Sequence, residues 1–184
     1  EVKQNTLRRR RPVMSGITLV ETMVTLAILG ILASVAAPSL RHFILDLKLA
    51  GAAAHFHSNV NWARSQAVQS GRPVTVEVAQ LQTTSCYAIF IGSSSECGCS
   101  ATAGSCAPPS AQMLRESIDA ASGISISTSS QTGVMTFDPV RGTTSPTMTA
   151  IFTASNGNSI RQITNLMGRT RTCSPSRTGN NPVC

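Results

Sequence analysis

The segment that most constrains this chain is an uncharged apolar run at residues 22–40, which directly follows a single carboxylate, Glu21. Its length suits a helix that crosses a bilayer, and four arginines at residues 8–11 predict that the end before it stays in the cytoplasm. A secretory signal peptide is disfavoured because the run is long and Pro38 follows its small residues directly. A carboxylate in hydrocarbon costs about 2.5–3.5 kcal/mol even on the mildest insertion scales. A plain membrane anchor therefore does not explain Glu21.

The helical pattern is predicted to continue beyond the apolar run. Apolar residues recur at spacings of three, four or their multiples, which predicts one face of an amphipathic helix. Gly71 then supplies a left-handed cap, and a proline follows two residues later. We expect one helix from near Ile17 to near Ser70, bent at Gly30 or Pro38. The predicted apolar face comprises Leu40, Phe43, Ile44, Leu47, Ala54, Val60, Ala63 and Ala67.

Beyond Pro73 the apolar period changes to two, which is typical of strands. Six short segments rich in β-branched residues show it: VTVEVAQ, CYAIFIG, GISISTS, VMTFD, TMTAIFT and SIRQITNL. We expect them to form one or two antiparallel sheets against the helix, an α+β arrangement. Residues 168–184, GRTRTCSPSRTGNNPVC, lack this period and predict a turn followed by a flexible basic tail.

All six cysteines lie in the distal half of the chain or just before it. An even number of cysteines beyond a membrane anchor indicates disulfides formed in an oxidising compartment, with the connectivity left open by the sequence. Disulfides would also order the long loop at residues 93–110. The C-x-C spacing, with no histidine nearby, disfavours zinc, and we expect no metal. The disulfide candidates are Cys86, Cys97, Cys99, Cys106, Cys173 and Cys184.

No sequence motif indicates an enzyme. The chain contains neither a GxSxG nucleophile context nor a Walker loop. His55 and His57 are two residues apart on the predicted helix, so they diverge too far to share a metal ion. Asp138, within FDPVRG, is expected to cap a turn rather than to act in catalysis. We therefore expect no enzymatic activity, no catalytic residue and no cofactor.

The amino-terminal pattern resembles that of type IV pilins and type II secretion pseudopilins. It consists of a basic leader, Gly16, four residues, Glu21 and the uncharged run. The resemblance implies that a prepilin peptidase cleaves between Gly16 and Ile17 and that Ile17 becomes N-methylated. It also implies that Glu21 meets the α-ammonium of Ile17 on a neighbouring subunit in a filament. Each desolvated charge then has a partner, which offsets the cost of burying the carboxylate.

The distal domain resembles the FimT/GspH branch of this superfamily, whose members are minor pilins or minor pseudopilins. WARSQAVQSGRPVTVEV, FDPVRG and GRTR carry the resemblance, and the cysteine-rich loop has no counterpart. In the FimT type, a C-terminal Gly-Arg-x-Arg element is linked to DNA binding during natural transformation. The matching residues here are Gly168, Arg169 and Arg171.

The distribution of charge supports such a contact independently. The chain has a net charge of +7, and no acidic residue follows Asp138. Arg169 and Arg171 alternate, so both point to one side of an extended strand, and Gly168 lets the backbone approach a phosphate closely. Guanidinium groups bind phosphate oxygens bidentately. A solvated basic end that pairs with carboxylates of neighbouring subunits is the alternative. Further candidates for the DNA contact are Arg141, Arg161 and Arg177.

These observations predict a type IV pilin-like chain with five segments. They are a leader at 1–16, a transmembrane and assembly helix at 17–38, the amphipathic half of the helix at 39–72, a β-rich domain at 73–167 and the basic turn and tail at 168–184. We expect a single-pass inner-membrane protein with a periplasmic domain that later enters a pilus at the cell surface. Its expected partners are other pilins, prepilin peptidase and DNA. The alternatives are a structural minor pilin that primes pilus assembly and a minor pseudopilin of a type II secretion system, both without DNA binding.

Overall fold

A computed structural model of the chain describes residues 16–81, 83–92, 97–99, 106, 110–175 and 181–184. The basic leader before Gly16, most of the loop at 93–110 and Arg177 lie outside the described residues. The chain divides into two compact units, Glu1–Leu40 and Arg41–Cys184.

One long helix, α1, spans Leu19–Ser70, as the sequence predicts. The Thr18 hydroxyl accepts a hydrogen bond from the backbone N–H of Glu21 at 3.2 Å, which satisfies a free donor of the first turn. Gly71 follows the last turn with a φ of +65°, the left-handed conformation of a helix cap. Within the first unit, Leu19–Ala36 has a mean hydropathy of 2.1 and is long and apolar enough to cross a membrane. The bend at Gly30 or Pro38 stays a prediction.

Within the second unit, α1 buries one continuous stripe of side chains. The buried residues follow a spacing of four and three: Leu49, Ala53, Phe56, Val60, Ala63 and Ala67. The predicted face is therefore correct at its end and wrong at its beginning, where Phe43 and Leu47 are more than half exposed. Leu40, Ile44 and Ala54 are not buried either. Apolar residues occur on every face of this part of the helix, so their spacing did not identify the buried face.

The described strands form two antiparallel sheets. One sheet has the order β3-β2-β1-β5-β6, and the other has the order β4-β7-β8-β9. The strands are β1 (Val74–Gln80), β2 (Thr84–Ile91), β3 (Ala111–Asp119), β4 (Ile124–Thr128), β5 (Val134–Phe137), β6 (Thr144–Ser145), β7 (Met148–Ala154), β8 (Ser159–Thr164) and β9 (Thr170–Cys173).

The sequence predicts six of these strands to within two residues and misses β3, β6 and β9. The prediction of a turn and tail over residues 168–184 is wrong for Thr170–Cys173, which form the last strand. β9 has no apolar period because its inward side chains are threonines. The Thr172 hydroxyl donates to Oε1 of the buried Gln162 at 2.9 Å, and the hydroxyls of Thr164 and Thr170 lie 3.0 Å apart.

Phe56 lies at the centre of the core, between the two sheets. Its ring contacts Tyr87 of β2 at a centroid distance of 5.0 Å and Phe152 of β7 at 5.5 Å, both edge to face. The Tyr87 hydroxyl accepts a hydrogen bond from Nδ2 of Asn59 at 2.8 Å. Burial raises the pKa of Tyr87 to about 12. One helical side chain thus contacts both sheets.

A polar contact attaches the turn between β7 and β8 to α1. The Oδ1 atom of Asp46 accepts hydrogen bonds from Nδ2 of Asn158 at 2.7 Å and from Nδ2 of Asn156 at 2.9 Å. These two bonds hold the pKa of Asp46 below its usual value, and the bond from Asn158 has the larger effect. The four-stranded sheet is therefore anchored to the helix at this turn as well as through Phe56.

Three disulfides confirm the interpretation of the cysteines and give the connectivity that the sequence leaves open. They join Cys86 to Cys99, Cys97 to Cys106 and Cys173 to Cys184. The first two form a second small core with Ala88 and Phe90 of β2. Side chains at both faces of this strand are consequently buried.

The cysteine-rich segment is also held by polar contacts to the five-stranded sheet. The backbone N–H of Cys99 donates to Oε2 of Glu77 on β1 at 3.3 Å. Nη2 of Arg115 on β3 donates to the carbonyl oxygen of Cys99 at 2.7 Å. Burial raises the pKa of Glu77 above its usual value. These contacts attach the segment to two strands besides β2.

Replacing Cys86 and Cys99 together by alanine should lower the free energy of unfolding by about 3 kcal/mol, because the bridge closes a short loop. Urea denaturation of the detergent-solubilised chain measures this change. The matched control is Cys173→Ala with Cys184→Ala. It opens a loop of similar length, and its second cysteine, Cys184, is exposed. The control should lose less free energy of unfolding, because Cys173 and Cys184 are not part of the second small core. Equal losses would contradict the stabilising role of that core.

Candidate nucleic-acid interface

The Gly-Arg-x-Arg segment starts in the turn between β8 and β9. Asn165 and Arg169 close this turn: the Asn165 N–H donates to the Arg169 carbonyl at 3.0 Å, and the Arg169 N–H donates to Oδ1 of Asn165 at 3.0 Å. Three residues, 166–168, connect them. Gly168 occupies the third position with a φ of +70°, where three-residue hairpin loops favour a left-handed glycine. The turn thus needs Gly168 for its backbone conformation.

A second constraint on Gly168 comes from a close backbone approach. A Cβ atom at Gly168 would collide with the carbonyl oxygen of Gly142. The same oxygen accepts a hydrogen bond from Nε of Arg64 on α1 at 2.9 Å. We call Arg64, Gly142 and Gly168 the glycine junction. This junction explains why glycine precedes the arginine pair. The space that a side chain would fill is occupied by the Gly142 carbonyl, whereas the sequence analysis expected a phosphate to approach the backbone there.

The glycine junction joins the three segments on which the sequence resemblance rests. Arg64 lies in WARSQAV, Gly142 in FDPVRG and Gly168 in GRTR. The turn at residues 138–142 is itself capped, because Oδ1 of Asp138 accepts the N–H groups of Val140 at 2.9 Å and Arg141 at 2.7 Å. This confirms the predicted structural role of Asp138. Three segments that are far apart in sequence therefore fix the position of Gly168, the residue that precedes the arginine pair.

Thr144 of β6 holds the hairpin turn from the side. Its N–H donates to the carbonyl oxygen of Leu166 at 2.9 Å, and its hydroxyl donates to the carbonyl oxygen of Asn165 at 2.8 Å. The Gly168 N–H also donates to the Asn165 carbonyl, at 2.9 Å. The backbone of the turn is thus fixed by hydrogen bonds both within the hairpin and to the neighbouring sheet.

Strand register places Arg161 and Arg171 on the outer face of the four-stranded sheet. Arg171 pairs with Ile163, and Arg161 pairs with Cys173. Directly paired residues share a face, as do residues two positions apart, so the two arginines are diagonal neighbours. Both are exposed, and the opposite face of β8 is buried. The structure therefore brings together two arginines that are ten positions apart.

The remaining arginines take up different positions. Arg169 is exposed and immediately precedes β9, about 7 Å along the chain from Arg171. Arg141 is exposed beside Gly142, and it lines a groove of about 580 Å³ together with Arg64. Arg64 was missed by the sequence prediction, although its place in the WARSQAV segment offered a signal. Arg177 lies outside the described residues.

The predicted processing and assembly residues lie at the start of the described chain. Gly16 and Ile17 precede α1, and the Ile17 side chain is 76 % exposed. Glu21 is exposed in the first turn of the helix. Cleavage after Gly16, methylation of Ile17 and the pairing of Glu21 with a neighbouring subunit stay predictions.

Comparison with known proteins gives two sequence families and one fold. The family described as type II transport protein GspH matches residues 52–168, and the prokaryotic N-terminal methylation motif matches residues 12–37. A search of curated protein sequences finds no match. Two crystal structures of the type IV minor pilin FimU from Pseudomonas aeruginosa are similar in fold, each with a TM-score of 0.50. Their sequences are 16 % and 18 % identical to this chain. The matched regions cover 71 % and 73 % of this chain, and 97 % and 94 % of the two FimU chains.

Replacing Gly168 by alanine should destabilise the chain more than the same change at Gly71. Both glycines have a φ near +70°, so each variant incurs about 1–2 kcal/mol of left-handed strain. Of these two glycines, Gly168 alone faces a backbone carbonyl, whereas nothing lies within 4 Å of a Cβ at Gly71. We expect Gly168→Ala to cost about 1–3 kcal/mol beyond Gly71→Ala. Urea denaturation measures both, and equal costs would rule out the glycine junction as a structural constraint.

Proposed function

The chain belongs to the GspH family of type II transport proteins, and from that premise we propose that it is a minor type IV pilin that binds extracellular DNA for uptake in natural transformation. The DNA contact would be made by Arg169 and Arg171, which follow Gly168 in the β8–β9 hairpin. The observation that carries the proposal is the grouping of exposed arginines at this hairpin, joined by Arg161 on the same outer face of the sheet.

We assign assembly to the amino-terminal segment. Residues 12–37 match a methylation motif, which supports cleavage by a prepilin peptidase between Gly16 and Ile17 and methylation of Ile17. The apolar helix would hold the chain in the inner membrane, with the domain in the periplasm, until it enters the pilus. There Glu21 would pair with the α-ammonium of a neighbouring Ile17. The three disulfides are consistent with an oxidising compartment.

The expected mode of DNA binding follows from the chemistry of the hairpin. Arginine stays charged at every relevant pH and contacts phosphate oxygens through a planar fork of donors. Phosphate contacts carry no sequence information, so binding should be independent of sequence and should weaken steeply as salt rises. No acidic residue follows Asp138, so β7, β8 and β9 add no repulsion for a polyanion. Arg141 and Arg177 are further candidates for the same contact.

A pseudopilin of a type II secretion system is the second candidate function, because the matching family is described as a type II transport protein. A purely structural pilin that primes assembly is related to it, since neither requires DNA. A deletion strain scored for both piliation and transformation separates these functions. Our proposal predicts that a chain with Arg169→Gln and Arg171→Gln restores piliation but not DNA uptake.

The direct biochemical prediction concerns the same double variant in the purified, detergent-solubilised chain. Removing two phosphate contacts should weaken binding to a DNA duplex and should make the negative slope of log K against log salt shallower by about 1.8. Fluorescence anisotropy with a labelled duplex of mixed sequence at several salt concentrations measures both quantities.

The matched control is Arg41→Gln with Lys48→Gln, which removes two exposed charges from α1 and leaves the hairpin intact. We expect this control to keep the slope of the unmodified chain, because its charges lie away from the proposed contact. If both double variants lose affinity equally, binding reflects net charge alone and the assignment to Arg169 and Arg171 fails. An unchanged affinity of the hairpin variant at low salt would refute the proposal as well.

A further inference from the structure

The tip of the β8–β9 hairpin carries two large apolar side chains that the core does not use. Leu166 is 59 % exposed and Met167 is 62 % exposed. Turns of this kind favour glycine, proline, asparagine, aspartate and serine, whose conformational preferences or hydrogen bonds suit a tight turn. Neither Leu166 nor Met167 offers such an advantage. Their presence at the tip therefore calls for a role outside the fold.

The turn presents these side chains on a fixed backbone. Thr144 donates to the carbonyl oxygens of both Asn165 and Leu166, and Gly168 packs against the Gly142 carbonyl. A contact made by Leu166 and Met167 would thus require little further ordering of the backbone, which favours binding. A rigid backbone with unburied apolar side chains is what an inserting element requires.

The surroundings of the tip are cationic. Arg169 follows Met167 by two residues, and Arg141 lies beside Gly142, which Gly168 touches. The same turn as Arg141 contains the carboxylate of Asp138, whose Oδ1 is bound to the N–H groups of that turn. A second copy of this chain is a poor partner for this surface because residues 17–184, which would remain after cleavage, still carry a net charge of +3. A duplex suits it better, since DNA is anionic outside and apolar between its stacked bases.

We propose that Leu166 and Met167 form an apolar wedge that inserts between base pairs of duplex DNA while Arg169 and Arg171 hold the adjacent phosphates. Proteins that enter the minor groove use leucine and methionine, among other side chains, to unstack a base step beside arginine contacts. The wedge rests on the proposed DNA binding and adds a preference to it: duplexes with a flexible pyrimidine–purine step bind more tightly than rigid A-tracts. Binding by phosphate contacts alone would show no such preference.

The test uses the detergent-solubilised full chain and a duplex with 2-aminopurine at a central TA step, because this base brightens when it is unstacked. The unmodified chain should raise the fluorescence. A Leu166→Ser/Met167→Ser variant should bind about 3–10-fold more weakly, since apolar burial is lost. It should leave the fluorescence low and retain the salt slope, because the arginines remain. Leu81→Ser, which changes an exposed leucine in the turn between β1 and β2, should behave like the unmodified chain.

The outcomes separate the wedge from the proposed function. If the serine variant keeps full affinity and full fluorescence while Arg169→Gln/Arg171→Gln loses affinity, DNA binding stands and the wedge is overturned. If the unmodified chain does not bind the duplex, both fail together. If the serine variant binds DNA normally but no longer co-purifies with other pilins, the tip is a subunit contact and the wedge is again overturned. Leu166→Met with Met167→Leu should keep the fluorescence of the unmodified chain, because both side chains stay apolar, and the retained salt slope of the serine variant shows that its hairpin is folded.

Discussion

The carbonyl oxygen of Gly142 is the point on which the geometry of the candidate interface depends. It accepts a hydrogen bond from Nε of Arg64 on the helix and leaves no room for a side chain at Gly168. The direction of the β8–β9 hairpin is therefore set by a helix and a turn that precede it by many residues. A short basic motif in an unanchored tail would lose binding free energy to ordering its backbone, whereas here that ordering is already achieved by folding.

The rest of the domain keeps this arrangement in place. Phe56 packs against both sheets, and Asp46 binds the turn between β7 and β8, so the β7–β8 hairpin, whose second strand pairs with β9, is anchored at two places. The disulfide between Cys173 and Cys184 fixes the end of β9. Stability and the candidate function are thus separated: buried contacts hold the hairpin, and exposed arginines and apolar side chains at its outer side remain available for a partner.

Sequence patterns predicted the helix, the α+β arrangement, most strands and the presence of all cysteines in disulfides, because each depends on local periodicity or on composition. They missed β9, whose inward threonines are satisfied by hydrogen bonds to Gln162 and Thr164 rather than by apolar packing. They also missed Arg64, since a contact between a helix and a distant turn has no local period. The diagonal placement of Arg161 and Arg171 depends on strand register, which the sequence does not show.

The most direct test of DNA binding by the hairpin is to follow the arginine Nε–Hε resonances of the ¹⁵N-labelled chain in detergent while a DNA duplex is added at low salt. We expect the signals of Arg169 and Arg171 to shift in proportion to the bound fraction. The signal of Arg64 should stay in place, because its Nε–H remains bonded to Gly142. Unshifted signals at Arg169 and Arg171, or a leading shift at Arg64, would show that the hairpin does not present its arginines to DNA.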